Sequence, residues 1–181
     1  MDNAINERSI SPGEVGAADT PRRHLEVWLP MIIVAVDQAT KALVKERLAF
    51  QDSVIIIPGF VNFTHVLNSG AAFGILNNMD FPFKTVLIAV IAMAALIGVG
   101  LYAASISHHQ LVARIGLALI IGGAAGNLID RVLFGSVVDF VDVYWRGYHF
   151  WAFNVADSAI SVGVAILILD MLAVGNRSAS V

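Results

Sequence analysis

Two aspartates stand where apolar sequence meets polar sequence: Asp139 in GSVVDF (135–140) and Asp157 in FNVAD (153–157). An ionisable carboxyl at a bilayer edge is expensive to hold and marks a functional site by default. Two carboxyls that meet and share one proton can split a peptide bond with water. The segment between these two lets each approach from a different helix end. For either acid alone, the plain alternative is a solvated helix-end carboxylate, and the polar residues nearby weigh against it. Asp142, three residues after Asp139, is a rival that falls deeper in an aromatic segment without polar neighbours.

Other polar residues lie close to apolar runs. GGAAGNLIDR (122–131) ends one such run. Its Gly122 and Gly126 form a GxxxG pair, which admits a neighbouring helix. Asn127, Asp130 and Arg131 follow at i, i+3 and i+4, on one helical face. Arg131 needs an acceptor, from backbone carbonyls of a β segment, from helical neighbours of Asp130, or from the acids themselves. Scaffolding is the favoured role, because a permanent cation against the acid pair would depress its pKa. Asp37 and Lys41 in DQATK (37–41) are spaced for a partly buried ion pair that fixes helix ends. Asn68 opens NSGAAFG (68–74), whose small residues, Gly70 among them, let backbone come close to a ligand. Asn154, three residues before Asp157, shares its helical face and is placed to orient that carboxyl. Asp170 lies towards the far end of the last apolar run and is expected to snorkel to the surface.

Several chemistries are disfavoured. The chain has no cysteine, which removes disulfides, thiolate nucleophiles and Cys-based zinc sites. The five histidines show no HExxH or other metal-ligand spacing, and His108 and His109 are expected in a short polar loop. No GxSxG occurs, and the serines have no evident base. A Ser–Lys pair using Lys41 would need a neutral amine, whereas Asp37 would keep it charged. Neither a metal nor any other cofactor is expected.

The elements that hold these residues must be membrane spans. Of the 181 residues, 57% are hydrophobic and 14% charged, with a mean hydropathy of +0.76; a soluble domain carries about a quarter charged residues. The net charge of −3 argues against nucleic acid as a partner. Spanning a bilayer takes about 20 mostly apolar residues, and four segments qualify: 26–44, 83–104, 111–133 and 155–174. Four spans leave both termini on one side, and Arg22-Arg23 favours a cytoplasmic N-terminus. Residues 1–24 read as a disordered tail, too long and acidic for the start of a cleaved signal peptide. Residues 25–176 form one domain, and 177–181 a short C-terminal tail. Within the domain, a strand–turn–strand pattern flanks Pro58-Gly59 in the β segment 50–70. Seven of the sixteen aromatics fall in 140–153, so that segment is expected to lie at the headgroup level.

Taken in order, DQATK, NSGAAFG, GGAAGNLIDR, GSVVDF and FNVAD resemble the signal peptidase II, or lipoprotein signal peptidase, family over about residues 28–175. The resemblance implies an all-α membrane protein: four transmembrane helices with a small periplasmic β-cradle and an interfacial helix, in the bacterial inner membrane with cytoplasmic termini. It implies that Asp139 and Asp157 are the catalytic pair of an aspartic endopeptidase. Supporting or substrate-contacting roles are implied for Asp37, Lys41, Asn68, Gly70, Asn127, Asp130, Arg131 and Asn154. The implied substrate is a prolipoprotein carrying diacylglycerol on its lipobox cysteine, cut just before that cysteine. The implied inhibitor is the cyclic peptide globomycin, and a monomer in contact with membrane lipid is expected. Two other classes are weighed. An ion- or proton-coupled carrier would use Asp37, Asp130 and Asp157 as a relay through the membrane depth. A purely structural scaffold would not need polar residues beside the acids.

Overall fold

A computed structural model describes residues 22–70 and 81–178. The order of elements is α1 (Arg22–Arg47), β1 (Ser53–Ile57), β2 (Val61–Asn68), α2 (Lys84–Ser105), α3 (Leu111–Phe134), β3 (Val137–Trp145), β4 (Tyr148–His149) and α4 (Val155–Ser178). Each α-helix contains a stretch long and apolar enough to cross a membrane: Val27–Arg47, Lys84–Ser105, Leu111–Phe134 and Val155–Ala173. A helix satisfies all its backbone groups internally, which is what a chain in lipid requires. The four expected spans are therefore present, and His108 and His109 fall in the short α2–α3 connection. The tail assigned to residues 1–24 lies, but for its last three positions, outside the described residues.

The helices are not equivalent. Half of the α3 window is buried against the protein, compared with 6% for α2. Small residues let α3 take the central place. A Cβ on Gly122 would stand 2.9 Å from the Pro30 Cα and the Ile33 Cβ of α1. One on Gly126 would stand 2.7 Å from Asp37 Oδ2. The GxxxG pair thus packs α3 against α1, as its spacing predicts. Gly116 and Gly163 do the same between α3 and α4, a contact for which the sequence offers no spaced motif.

The strands form one antiparallel sheet in the order β1-β2-β3-β4. The β segment 50–70 supplies the first two strands, as expected. The aromatic segment 140–153 supplies the rest: it is not helical, but continues β3 and turns at Arg146-Gly147 into β4. Positive φ at both turn residues, 50° and 83°, fits the two-residue hairpin whose twist matches its strands. No separate interfacial helix occurs among the described residues, so that implied element is not found at 140–153. The reason is physical: β3, rich in Val with Phe, Tyr and Trp, pairs with β2 from Val137 to Val143, and such residues suit a pleated, half-buried surface.

Two backbone details aim the sheet at the helices. Gly135, in the left-handed region at φ 75°, ends α3 with its N–H on the Arg131 carbonyl and turns the chain directly into β3. A β-bulge lies between Phe63 and Val66, where β2 spends one residue more than β3. Val66 thereby pairs with Asp139, and Asn68, two residues on, shares the face of Asp139. Without the extra residue, Asn68 would face the other way.

Candidate active site

Asp157 is the third residue of α4, and Asn154 precedes the helix as its N-cap. The Asn154 Oδ1 accepts the Asp157 N–H at 2.9 Å, and Asp157 Oδ2 accepts the Asn154 N–H at 3.2 Å. This reciprocal pair is a capping box in Asn/Asp form. The sequence reading put Asn154 on the helical face of Asp157; the structure instead places it outside the helix, where its side chain can serve both helix and sheet. A second orphan donor of α4, the Ala156 N–H, is taken by Asp37 Oδ1 at 2.9 Å. The helix start is thus built from residues of α1 and α4, and its partial positive charge faces the Asp157 carboxylate.

Asp139 comes from β3 and is 3% exposed. Its Oδ1 accepts from Asn154 Nδ2 at 2.7 Å, and its Oδ2 accepts from Asn68 Nδ2 at 3.1 Å. Asp157 Oδ1 accepts from Asn127 Nδ2 at 2.7 Å. One residue, Asn154, therefore hydrogen-bonds both carboxyl groups, through its side chain to Asp139 and its backbone to Asp157. Burial is the main reason that the Asp139 carboxyl is pushed up to about 7, and the neighbouring Asp157 charge adds to it. The Asn68 and Asn154 donors and the more distant Lys41 cation pull the other way. Asp157 is only partly buried.

Beneath the two acids lies a buried charge cluster. Lys41 Nζ stands 2.7 Å from Asp37 Oδ2, 2.9 Å from Asp130 Oδ2 and 2.9 Å from Asn127 Oδ1. The Asp130 contact is an ion pair. Asp37, Lys41 and Asp130 are each at most 1% exposed. The ion pair expected as partly buried is completely so, and it reaches across to α3. Lys41 Nζ is thus taken up by Asp37, Asp130 and Asn127, contacts that it would have to give up to serve as a base for a serine. Gln38, to which the sequence reading gave no role, donates to Asp37 Oδ2, the Gly126 carbonyl and Asp130 Oδ1. Its place within DQATK is the one signal it carries.

Arg131 donates to the Asn127 carbonyl and to the Gly70 carbonyl, each at 3.1 Å. Of the acceptors considered for it, backbone carbonyls are the ones it finds. Lys41 is thus linked to Asp157 through the Asn127 side-chain amide, whereas Arg131 is engaged by backbone carbonyls. Gly70 also donates its N–H to Asn68 Oδ1, which ties the end of β2 to the site; the rest of the small-residue stretch, 71–74, lies outside the described residues. Asp142 is the rival that the fold separates. An odd offset along β3 sends it to the opposite face from Asp139. There it meets His149 Nδ1 at 2.9 Å and Asn62 Nδ2 at 3.1 Å. The expectation that it lacks polar neighbours is corrected by these contacts. Among the described residues, no group of three or more histidine or acidic side chains is arranged to hold a metal ion.

The chain matches the family model described as signal peptidase (SPase) II over residues 29–173. The lipoprotein signal peptidase of Geobacter metallireducens is 46% identical over 143 residues, covering 78% of this chain and 86% of that protein. That of Solibacter usitatus is 44% identical over 83% of this chain and 92% of its own length. A solved bacterial membrane enzyme superposes with a TM-score of 0.74 at 34% identity, covering 83% of this chain and 88% of the other. The four spans, the sheet between them and the likeness along nearly the whole domain lead to one assignment: this multi-pass membrane protein belongs to the signal peptidase II family, and it is a peptidase that removes signal peptides.

Proposed function

We propose that the protein is an aspartic endopeptidase of the bacterial inner membrane that acts on diacylglyceryl-modified prolipoproteins and cuts just before the lipidated cysteine. Asp139 and Asp157 are the catalytic pair. The observation that carries this reading is the single residue Asn154 bonded to both carboxyl groups, because two acids held by one scaffold atom set are placed to share a proton. The sheet side faces the periplasm and both termini the cytoplasm, in keeping with Arg22-Arg23 ahead of the first span.

Asp139, whose proton is held to about pH 7, is the acid. Asp157, at the positive end of α4, is the base. Asp157 takes a proton from a water lying between the carboxyls, and the resulting hydroxide attacks the scissile carbonyl carbon. Asp139 donates to the carbonyl oxygen as negative charge develops there. Collapse of the tetrahedral intermediate breaks the C–N bond: the proton taken by Asp157 passes to the departing amine, and a hydroxyl of the intermediate returns its proton to Asp139, which leaves a carboxylic acid and restores the pair. Asn68 and the Gly70 backbone, at the end of β2, hold the substrate chain beside the pair, while its acyl chains remain in lipid between the spans. Arg131 supports that strand end. Asp37, Asp130 and Lys41 hold the start of α4. The enzyme works as a monomer.

Incubation of the purified protein in detergent with a diacylglyceryl-prolipoprotein, with and without globomycin, tests the reading. Cleavage before the modified cysteine, stopped by globomycin and abolished in Asp139→Asn and in Asp157→Asn, is the expected result. Near-native cleavage by either folded variant would overturn the assignment of the pair. Nothing favours the carrier reading: the acids near Asp157 gather at one end of the helices instead of lining a path through them.

A further inference from the structure

We propose that Lys41 is a positioning residue for the acid pair, acting through Asn127: its ammonium fixes which way the Asn127 amide points, and so presents an N–H to Asp157. The inference rests on the reading of Asp139 and Asp157 as the catalytic pair.

An asparagine amide is nearly symmetric in shape but has an acceptor at one end and donors at the other. Only its neighbours decide which end goes where. Asn127 is buried between two sets of neighbours of opposite polarity. Its Oδ1 receives Lys41 Nζ at 2.9 Å and Asn154 Nδ2 at 3.2 Å. Its Nδ2 then has one place to go, Asp157 Oδ1 at 2.7 Å. Turned over, the amide would set its N–H groups against an ammonium and its oxygen against a carboxylate. Both ends would be repelled, in a site with little water to screen them. Asn154 favours the same polarity, since its Nδ2 is also held by Asp139 and the Val138 carbonyl and its Oδ1 by the Asp157 N–H. The ammonium, charged and closer at 2.9 Å, makes the larger difference between the two orientations.

The cation is itself immobile. Asp37 and Asp130 grip it from α1 and α3, and Gln38 bonds both of these acids. Asp37 also caps α4 through the Ala156 N–H. The orientation of Asn127 is therefore set by the same cluster that sets the start of the helix carrying Asp157. Lys41 touches neither candidate catalytic acid in this arrangement. Beyond the direct pull of its charge on Asp139, its effect on chemistry passes through an amide, which distinguishes it from a general acid or base and from an ion pair that merely joins two helices.

A double-mutant cycle on cleavage separates these roles. The exchange used is Lys41→Met with Asp130→Asn, which removes one charge of each sign and leaves Asp37 with its Ala156 and Gln38 partners. In otherwise wild-type protein it is expected to lower kcat about 10- to 100-fold, the size of one lost hydrogen bond to a charged group, with KM changed less than about twofold. In an Asn127→Ala background, the same exchange is expected to cost nothing further. If the two losses multiply, Lys41 does not act through Asn127 and the proposal is overturned. Should the charge-balanced variant fail to fold, Lys41→Gln carries the same cycle with the same criterion. Loss of the reading on which this rests looks different: Asp139→Asn would then remain active, whatever the cycle returns.

Discussion

Asn154 is the residue on which two separable jobs fall, and replacing it distinguishes them. Its Oδ1 caps α4, while its Nδ2 reaches Asp139 Oδ1 at 2.7 Å, with longer contacts to Asn127 Oδ1 and the Val138 carbonyl. Asn154→Ala removes both functions. Loss of an N-cap costs about 1 kcal/mol. Loss of a donor to a carboxyl adds about 1.5–3 kcal/mol, part of which appears in the transition state. Asn154→Ser keeps an oxygen at the cap but is too short to reach Asp139. Both variants lose the Asp139 donor and are expected to melt below wild type, the alanine variant a few degrees lower than the serine variant. Both should lose about 10- to 100-fold in kcat, since 1.4 kcal/mol is a factor of ten. Thermal melts in detergent and single-turnover cleavage of a diacylglyceryl-prolipoprotein measure the two effects. Wild-type kcat in Asn154→Ser would show that the Asp139 contact has no part in the chemistry. An alanine variant as stable as the serine variant would remove the capping account.

Four other outcomes follow from the geometry. The pH–rate profile should fall above about pH 7, where Asp139 loses its proton, and fall again at low pH as the partner carboxylate is protonated; a flat profile through pH 8 would contradict the assigned acid. The sign for stability is the reverse of a salt-bridged aspartate. A pKa raised on folding means that the native state binds the proton more tightly, so melting temperature should decline from about pH 4 to pH 7 and level off above, and the decline should be shallower in Asp139→Asn. Gly122→Ala would place a methyl 2.9 Å from the Pro30 backbone, and overpacking of that kind costs about 1–3 kcal/mol; an unchanged melt would mean that α1 and α3 can separate at no cost. Asp142→Asn should leave cleavage within about twofold of wild type while loosening the β3–β4 hairpin, whose His149 it holds; loss of activity would restore it as a rival to Asp139.

Much of this protein is legible along the chain because its constraints are local. Lipid demands runs of apolar residues of a set length, so four spans can be counted without knowing how they touch. The polar residues embedded near those runs stand out for the same reason: each is costly there and must have company. GxxxG spacing likewise announces a close helix–helix contact at Gly122 and Gly126, without naming α1 as the partner. The aromatic segment 140–153 shows where the difficulty begins. Its composition places it at the headgroup level, but composition does not separate a surface helix from a strand, and the choice depends on the β2 edge beside it.

The sequence by itself determined the class of molecule, the number of spans and the short roster of side chains costly enough to need a purpose. Only the tertiary structure decided how those side chains are shared. A bulge of one residue in β2 brings Asn68 to the face of Asp139. An odd offset along β3 sends Asp142 away. Asn154 stands outside α4 and so can bond to both acids, and Lys41 reaches Asn127 and Asp130 on another helix. These are contacts between residues far apart in sequence, directed by backbone parity and by hydrogen-bond polarity, and neither quantity is written in the spacing of residues along one element.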